Sequence, residues 1–321
     1  MVFYHLISII LAVVIDRMIG DPPNFPHPVK GFGKMIAYFD KKWNRGYQKK
    51  LKGFFMLMIL IVIILTLSIG IVLIAYYIHP LLGIFTEAVL IATTIAQRGL
   101  REAALEVEKP LEQGDIVKAR QKLSNIVGRD TENLSQEEIV RGTVETVAEN
   151  TSDGITAPLF WAAIGGAPLA LTYRLINTCD SMVGYKNDVY QDFGWASARM
   201  DDVVNWLPSR LTGVIMMLCS RAKEVSCKKA WTILFRDAKK HPSPNSGWGE
   251  AAVAALLGVR LGGVNYYKGK KSYRVEMGEP VHRLQLRHIT DSINIMQRTV
   301  ILFLLALILG RVIIETAIAW I

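Results

Sequence analysis

RGTVETVAENTSDGITAPLFWAAIGGAPLALTYRLINTCDSMVGYKNDVYQDFGWASARMDDVVNWLPSR, residues Arg141 to Arg210, is the stretch on which the reading of this chain turns. It sets acids, amides and glycines directly against an apolar run. Glu145, Glu149, Asn150 and Asp153 come first, then the uncharged run 155–173. Asn177, Asp180, Asp188, Asp192, Asp201, Asp202 and Asn205 follow it. An unpaired carboxylate beside membrane-like segments costs several kcal/mol. A chain that only had to sit in a bilayer would not gather so many there. The stretch reads as a catalytic centre at a membrane surface.

Outward from it, the composition fits an all-α, polytopic membrane bundle carrying amphipathic helices and polar active-site loops. The 321 residues are 51% hydrophobic and 20% charged, with a mean hydropathy of +0.27. That is more apolar than a soluble domain and less than a bare membrane bundle. The net charge of +9 marks cytoplasmic loops and anionic lipid, and no nucleic-acid motif accompanies it. Cys179, Cys219 and Cys227 are odd in number and lack metal-ligand spacing, which reads as inert thiols in a reduced compartment.

Residues 1–15 form an apolar segment without a cleavage site, read as an uncleaved membrane helix. GDPPNFPHPVKGFGK, residues 20–34, reads as a rigid loop presenting Asp21, Asn24 and His27, because its prolines forbid a continuous helix. Residues 21–53 carry eight Lys/Arg against two acids, which places them on the cytoplasmic side. Residues 54–78 are the clearest transmembrane helix, uncharged throughout. The run 81–97 returns with Glu87 inside it, a residue that needs a buried partner and is read as structural.

Residues 98–150 are polar and helical, broken at Gly128-Arg129-Asp130. Ser135 and Glu138 form a capping box that starts the next helix. On it Val140, Val144 and Val147 make an apolar stripe, and Arg141, Glu145 and Glu149 fall four apart on the other face. Asn150, Ser152, Asp153 and Gly154 then end the helix and gather oxygen ligands. The run 155–173 is interrupted by Pro158, Gly165, Gly166 and Pro168. Broken apolar helices line protein-buried sites, so this run is read as re-entrant or non-crossing. Residues 251–262 suit close helix packing, and 299–310 reads as a terminal membrane helix with an Arg311–Glu315 pair. The whole is taken as one integral membrane domain, 1–321, with polar cytoplasmic-side segments 21–53, 98–154, 179–209 and 221–250.

Clustered carboxylates and amides are hard oxygen donors that suit Mg²⁺. Glu149, Asp153, Asp180, Asp188 and Asp192 are candidates, although acids also cap helices and pair with bases. Lys186, in the glycine-flanked loop Tyr185-Lys186-Asn187, can neutralise a phosphate or an oxyanion, as can Arg174, Arg199 and Arg210. His241 to Ala252, HPSPNSGWGEAA, is a turn with glycines that admit a ligand, and Ser246 suits a helix N-cap. No phosphate loop, dinucleotide fingerprint, zinc-protease or serine-hydrolase motif occurs.

These motifs together resemble a known family. GDPPNFPHPVKGFG (20–33), VGRDT (127–131), VETVAENTSDGITAPLFW (144–161), residues 177–212 and HPSPNSGWGEAAVAALLGVRLGG (241–263) resemble the membrane-bound adenosylcobinamide-phosphate synthases of cobalamin biosynthesis. Gly249 stands where the family commonly has proline. The resemblance implies an ATP- and Mg²⁺-dependent ligase of the inner cell membrane, its active site facing the cytoplasm. It would join the carboxylate of adenosylcobyric acid, a corrinoid, to (R)-1-aminopropan-2-ol or its O-phosphate through an amide. On that basis Glu149, Asp153, Asp180 and Asp188 are expected at the metal. Arg174, Arg199, Asn150, Asn187 and Asn245 are expected around the nucleotide. Lys186, His27 and His241 are expected in catalysis, a histidine taking the amine's proton. Trp161, Trp195, Trp206 and Trp248 are candidates to face the corrin. Membrane lipid is the other expected partner, and a homo-oligomer is compatible with the sequence. A membrane sensor related to β-lactamase regulation and a transporter are the alternatives, although no pair of similar halves is visible.

Overall fold

A computed structural model describes residues 2–22, 27–222 and 224–319. Asn24, expected in the first loop, lies outside the described residues, as does the side chain of Glu315. In chain order the first helices are α1 (Val2–Met18), α2 (Pro28–Trp43), α3 (Lys49–Ile78), α4 (Pro80–Ala92), α5 (Gln97–Glu112) and α6 (Ile116–Ser124). Then come α7 (Gln136–Thr151), a π-helical turn at Ser152–Thr156, α8 (Ala157–Val183), α9 (Trp195–Val204) and α10 (Trp206–Cys219). The chain ends with α11 (Cys227–Asp237), α12 (Ser246–Leu257), strands β1 (Leu261–Tyr267) and β2 (Lys270–Met277), and α13 (Arg287–Ala319). Lys49–Ile78, Pro80–Glu112, Gln136–Val183 and Arg287–Ile313 are long and apolar enough to cross a membrane, as in a multi-pass membrane protein.

Local sequence sets most of these boundaries. Pro28 occupies the first turn of α2, and His27 Nδ1 accepts the Val29 N–H as its N-cap. Residues 28–34 are therefore helix rather than loop, because proline at a first turn forfeits no hydrogen bond. His79 ends α3 and caps α4, whose first residue is Pro80. The capping box at Ser135 and Glu138 starts α7. At the other end of α7 the chain does not break at Asn150–Gly154. The π-helical turn carries it straight into α8, and such single wide turns often accompany functional sites.

Two compact units emerge, each assembled from separated stretches. The first comprises Met1–Ala96, Asp153–Asn205 and Ala306–Ile321, and the second Gln97–Ser152 and Trp206–Leu305.

In the first unit Ile36 of α2, Leu57 and Leu60 of α3, Leu175 of α8 and Phe193 close a buried apolar cluster. α8 is interrupted where the sequence suggests, at Gly165 and Gly166, whose backbone angles are non-helical. The break meets the fully buried Glu87 of α4. Its carboxylate accepts hydrogen bonds from the Tyr76 hydroxyl at 2.8 Å and the Ala167 N–H at 3.2 Å. His5 Nδ1 lies 2.8 Å from both oxygens. Gly166 has φ +64°, and a Cβ there would stand 2.1 Å from Glu87 Oε1. Only glycine admits the carboxylate at that distance. The partner expected for Glu87 is thus a three-helix set of donors.

In the second unit the valine stripe of α7 is buried. Its other face, which carries Arg141 and Glu145, packs on β1. Arg141 donates to the Gly262 and Val264 carbonyls and to Asn265 Oδ1, and Glu145 accepts the Gly262 N–H at 2.8 Å. Both acts fasten α7 to β1. The β1–β2 hairpin adds a small antiparallel sheet to the helical fold, in register Val264↔Tyr273 and Tyr267↔Lys270. Its tight turn is Lys268-Gly269, both at positive φ, whose N–H groups donate to the Asp130 carboxylate at 2.9 and 2.7 Å. The small-residue helix α12 stops at Leu257 because Gly258 turns left-handed (φ +64°), so 261–262 belong to the strand and not to a packing helix. At Gly249 a Cβ would stand 2.5 Å from the Ala148 carbonyl oxygen, so α12 approaches the α7 backbone there.

Replacing Glu87 by Ala leaves Tyr76, His5 and the Ala167 N–H without their acceptor. The expected loss is about 3–5 kcal/mol of stability, read as the unfolding midpoint of the detergent-solubilised protein. Glu87→Gln, which keeps an acceptor oxygen, should lose less.

Candidate functional site

In the first unit the polar residues of the central stretch converge. Arg174, Asn177 and Asp180 follow at three-residue spacing on α8 and so share a face. Asp201 of α9, 9% exposed, accepts the Asn177 Nδ2–H at 3.2 Å. The Tyr173 hydroxyl donates to Asn205 Oδ1 at 2.8 Å and lies 3.1 Å from the Asp153 carbonyl oxygen. Arg174 reaches the same carbonyl at 3.5 Å and Asn177 Oδ1 at 3.4 Å. Burial, and next the charge of Asp180, push the Asp201 acid up to about 7, against hydrogen bonds from Asn177 and Asn205. Asp202 is also raised by burial, while Arg199 and Lys186 pull it down. Arg199 lies 3.7 Å from Asp202.

Other expected residues are placed more locally. Lys186, Asn187 and Asp188 are exposed on the loop after α8. Asn187 Oδ1 accepts the Val189 and Tyr190 N–H groups, which is turn-stabilising work. His27 caps α2, with Nε2 3.1 Å from Asp21. Trp161 donates to the Val204 carbonyl at 3.1 Å, and Trp195 is exposed beneath Lys50.

The second unit holds a separate polar cluster, and Glu149 belongs to it. Arg129 bonds Glu145 and Asn265. Glu149 Oε1 accepts the Ser246 hydroxyl at 2.9 Å. Ser246 is therefore not the N-cap of α12. It is the first helical residue, after Asn245, and its side chain turns to α7. Asn150 Nδ2 donates to the Thr146 carbonyl. An open cavity of ≈ 120 Å³ is lined by Arg129, Glu145, Glu149, Asn150, Tyr267 and Arg274 among others. Glu250 is fully buried, and neither of its oxygens has a hydrogen-bond partner among the described residues. Its nearest cations are His241 Nε2 at 3.5 Å and Arg274 at 4.0 Å. Burial, with Glu145 and Glu149 adding repulsion, drives its acid well above the carboxylate range. His241 Nδ1 lies 3.0 Å from the Ser243 nitrogen and 3.3 Å from the Ser243 carbonyl oxygen. Burial lowers this imidazole below its ordinary value, although Glu149 opposes the shift. Asn245 is buried, its Oδ1 3.4 Å from the Ser209 hydroxyl and 3.5 Å from Arg210. Trp248 is buried and Trp206 exposed, both against Arg210.

Among the described residues no group of three or more His, Cys, Asp or Glu is placed to hold a metal unaided. Asp201, Asn205, Tyr173, Arg129, Arg274 and Glu250 take part without having been assigned roles from the sequence. Glu250 carried a usable signal, since it is the one charge in residues 246–257. Arg274, on a surface-type strand, carried none.

Asp201 supplies a pH test. Its acid stays protonated to about 7 when folded, but only to about 4 when unfolded. The folded chain binds more protons across that window, so stability falls as pH rises through it. Asp201→Asn should remove this dependence. In chelator-treated detergent solution it should match wild type near pH 5 and exceed it at pH 8 by roughly 2–4 kcal/mol, read from thermal unfolding.

Comparison with known proteins places this arrangement in a family. The sequence profile described as "CobD/Cbib protein" matches residues 9–296. The chain is 54% identical over 310 residues to the cobalamin biosynthesis protein CobD of Halalkalibacterium halodurans, covering 96% of this chain and 97% of that one. It is 46% identical to CobD of Clostridium perfringens, covering 98% and 100%. The cobalamin biosynthesis protein CbiB of Salmonella typhimurium is 41% identical, with 94% and 96% covered. No solved structure matches the chain. Nearly full-length coverage at these identities means that the chain belongs to the CobD/Cbib protein family.

Proposed function

We propose that this protein acts in cobalamin biosynthesis as an adenosylcobinamide-phosphate synthase. It joins the carboxylate of adenosylcobyric acid to (R)-1-aminopropan-2-ol or its O-phosphate by an amide bond, with ATP and Mg²⁺, at the cytoplasmic face of the inner membrane. The observation that carries this is the Asp153–Asn177–Asp180–Asp201–Asn205 cluster of the first unit, in a chain whose relatives are named cobalamin biosynthesis proteins.

The donor set fits magnesium. Every side chain offered is a hard oxygen donor. Two carboxylates, Asp180 and Asp201, press on each other. Mg²⁺ is usually held by one or two carboxylates, with waters and substrate phosphates completing the shell, so a three-acid cage is not required. When bound, ATP with its metal supplies the activation that lets an amine displace a carboxylate oxygen. The chain's own residues position and neutralise. Asp180 and Asp201 would hold the cation, and Asp153 from the π-helical turn would serve its water shell. Asn177 and Asn205 fix the Asp201 carboxylate. Lys186, exposed on its loop, and Arg174 or Arg199 meet phosphate oxygens. Catalysis of this kind is positioning plus charge neutralisation.

A strain lacking the synthase tests the reading. The expressed and inserted protein should restore cobinamide synthesis, and failure to do so removes the ligase assignment. Asp153→Asn should raise the Mg²⁺ concentration needed for half-maximal activity about tenfold or more. Unchanged activity at limiting Mg²⁺ removes Asp153 from the metal site.

A further inference from the structure

In the second unit two apolar runs stop side by side. Residues 211–219 of α10 are uncharged up to the helix end at Cys219, and the uncharged run 299–310 of α13 begins at Thr299. The Cys219 thiol lies 3.5 Å from the Thr299 hydroxyl. A basic residue stands just outside each run: Arg221 two residues after Cys219, and Arg298 one before Thr299. Arg287 and Asp291 precede Arg298 on one face of α13, since 287, 291 and 298 differ by four and seven.

A cavity of ≈ 100 Å³ opens among these side chains, with Arg221, Arg287, Arg298, Glu224 and Asp291 as its charged walls. All of them belong to the second unit. The buried His288 also lines it, but its Nδ1 accepts the Gln285 N–H at 3.0 Å. Glu224 lies 2.9 Å from His282 Nε2. The three arginines have no hydrogen bond or ion pair among the described residues. The space is far below the ~300–1,000 Å³ of a cofactor or nucleotide pocket. Beyond Thr299 the face of α13 that carries Arg298 turns apolar and stays exposed, at Ile301 and Leu305. Leu218, just before the end of α10, is exposed as well.

We propose that this site binds an anionic phospholipid, Arg221, Arg287 and Arg298 holding the headgroup phosphate and the acyl chains lying along Ile301 and Leu305. Arginine grips a phosphate through two parallel N–H donors, and basic pockets between membrane helices take anionic headgroups. A free phosphate would occupy the cavity and leave the apolar face bare, whereas a phospholipid answers both. The site does not depend on the ligase reading.

The test is native mass spectrometry of the purified full-length protein in detergent micelles that contain phosphatidylglycerol or phosphatidylcholine. Both lipids carry a phosphate, but choline adds a cation that the arginines repel. Phosphatidylglycerol should be retained about tenfold or more over phosphatidylcholine. The double variant Arg221→Gln with Arg298→Gln should bring the two lipids level. Arg221→Lys with Arg298→Lys should keep part of the preference, which separates lost charge from misfolding. Lys270→Gln with Lys271→Gln makes the same charge change on the exposed end of β2 and should leave the preference near wild type. No preference in the wild type, a preference that survives the arginine-to-glutamine pair, or an equal loss in the Lys270 and Lys271 variant overturns the proposal. Displacement of phosphatidylglycerol by millimolar inorganic phosphate also overturns it, because the site would then take a free anion.

Discussion

A carboxylate on an apolar helix must be met by donors from other elements, and Glu87 shows how much of a fold that requirement can set. The cost of leaving it bare is several kcal/mol. Its donors come from α1, from the last turns of α3 and from the backbone of α8 just past a helix break. The break itself follows from the same need. The Ala167 N–H is free to point at Glu87 because Gly165 and Gly166 leave the helical path. Gly166 leaves room for the carboxylate, since any Cβ would overlap it. Loop, glycine and acid form one device, and the first unit's helix arrangement is written around it.

The second unit uses the same constraint with the charges reversed. Arg129 and Arg141 are buried or half-buried guanidinium groups, and their acceptors are Glu145, Asn265 and strand carbonyls. A short hairpin is marginal alone. Here α7 supplies polar anchors to β1, and Asp130 receives both N–H groups of the turn. The VGRDT stretch is therefore a fastening for the hairpin as well as one wall of the cavity.

Much of this was legible in the sequence where a local rule applied. The capping box at Ser135, the valine stripe, the uncharged α3 and the glycine-proline interruption of α8 all follow from spacing and backbone chemistry. The readings that failed did so for a physical reason. Helical continuity through Ser152–Thr156 depends on a π turn that no local signal announces. The α12 cap moved because Ser246 found a better acceptor in Glu149 on a distant helix. Spacing sets Arg141 and Glu145 on one face of α7 but does not tell that β1 covers it. The hairpin had its signal in Lys268-Gly269 between alternating runs, although a chain so rich in helix gives that pattern little weight.

The carboxylates of this protein differ in how completely they are answered, and that difference separates scaffold from site. Glu87 and Glu145 are saturated: each oxygen meets a donor supplied by folding. Asp201 is answered by amides, yet still faces Asp180. Glu250 accepts no hydrogen bond among the described residues. Folding alone does not favour such groups, because buried polar atoms without partners lower stability. The repulsion between Asp180 and Asp201 is what a bound cation would relieve. Carboxylate repulsion at Asp201, and at Glu250 a buried acid without a hydrogen-bond partner among the described residues, set these two places apart from the saturated Glu87 and Glu145.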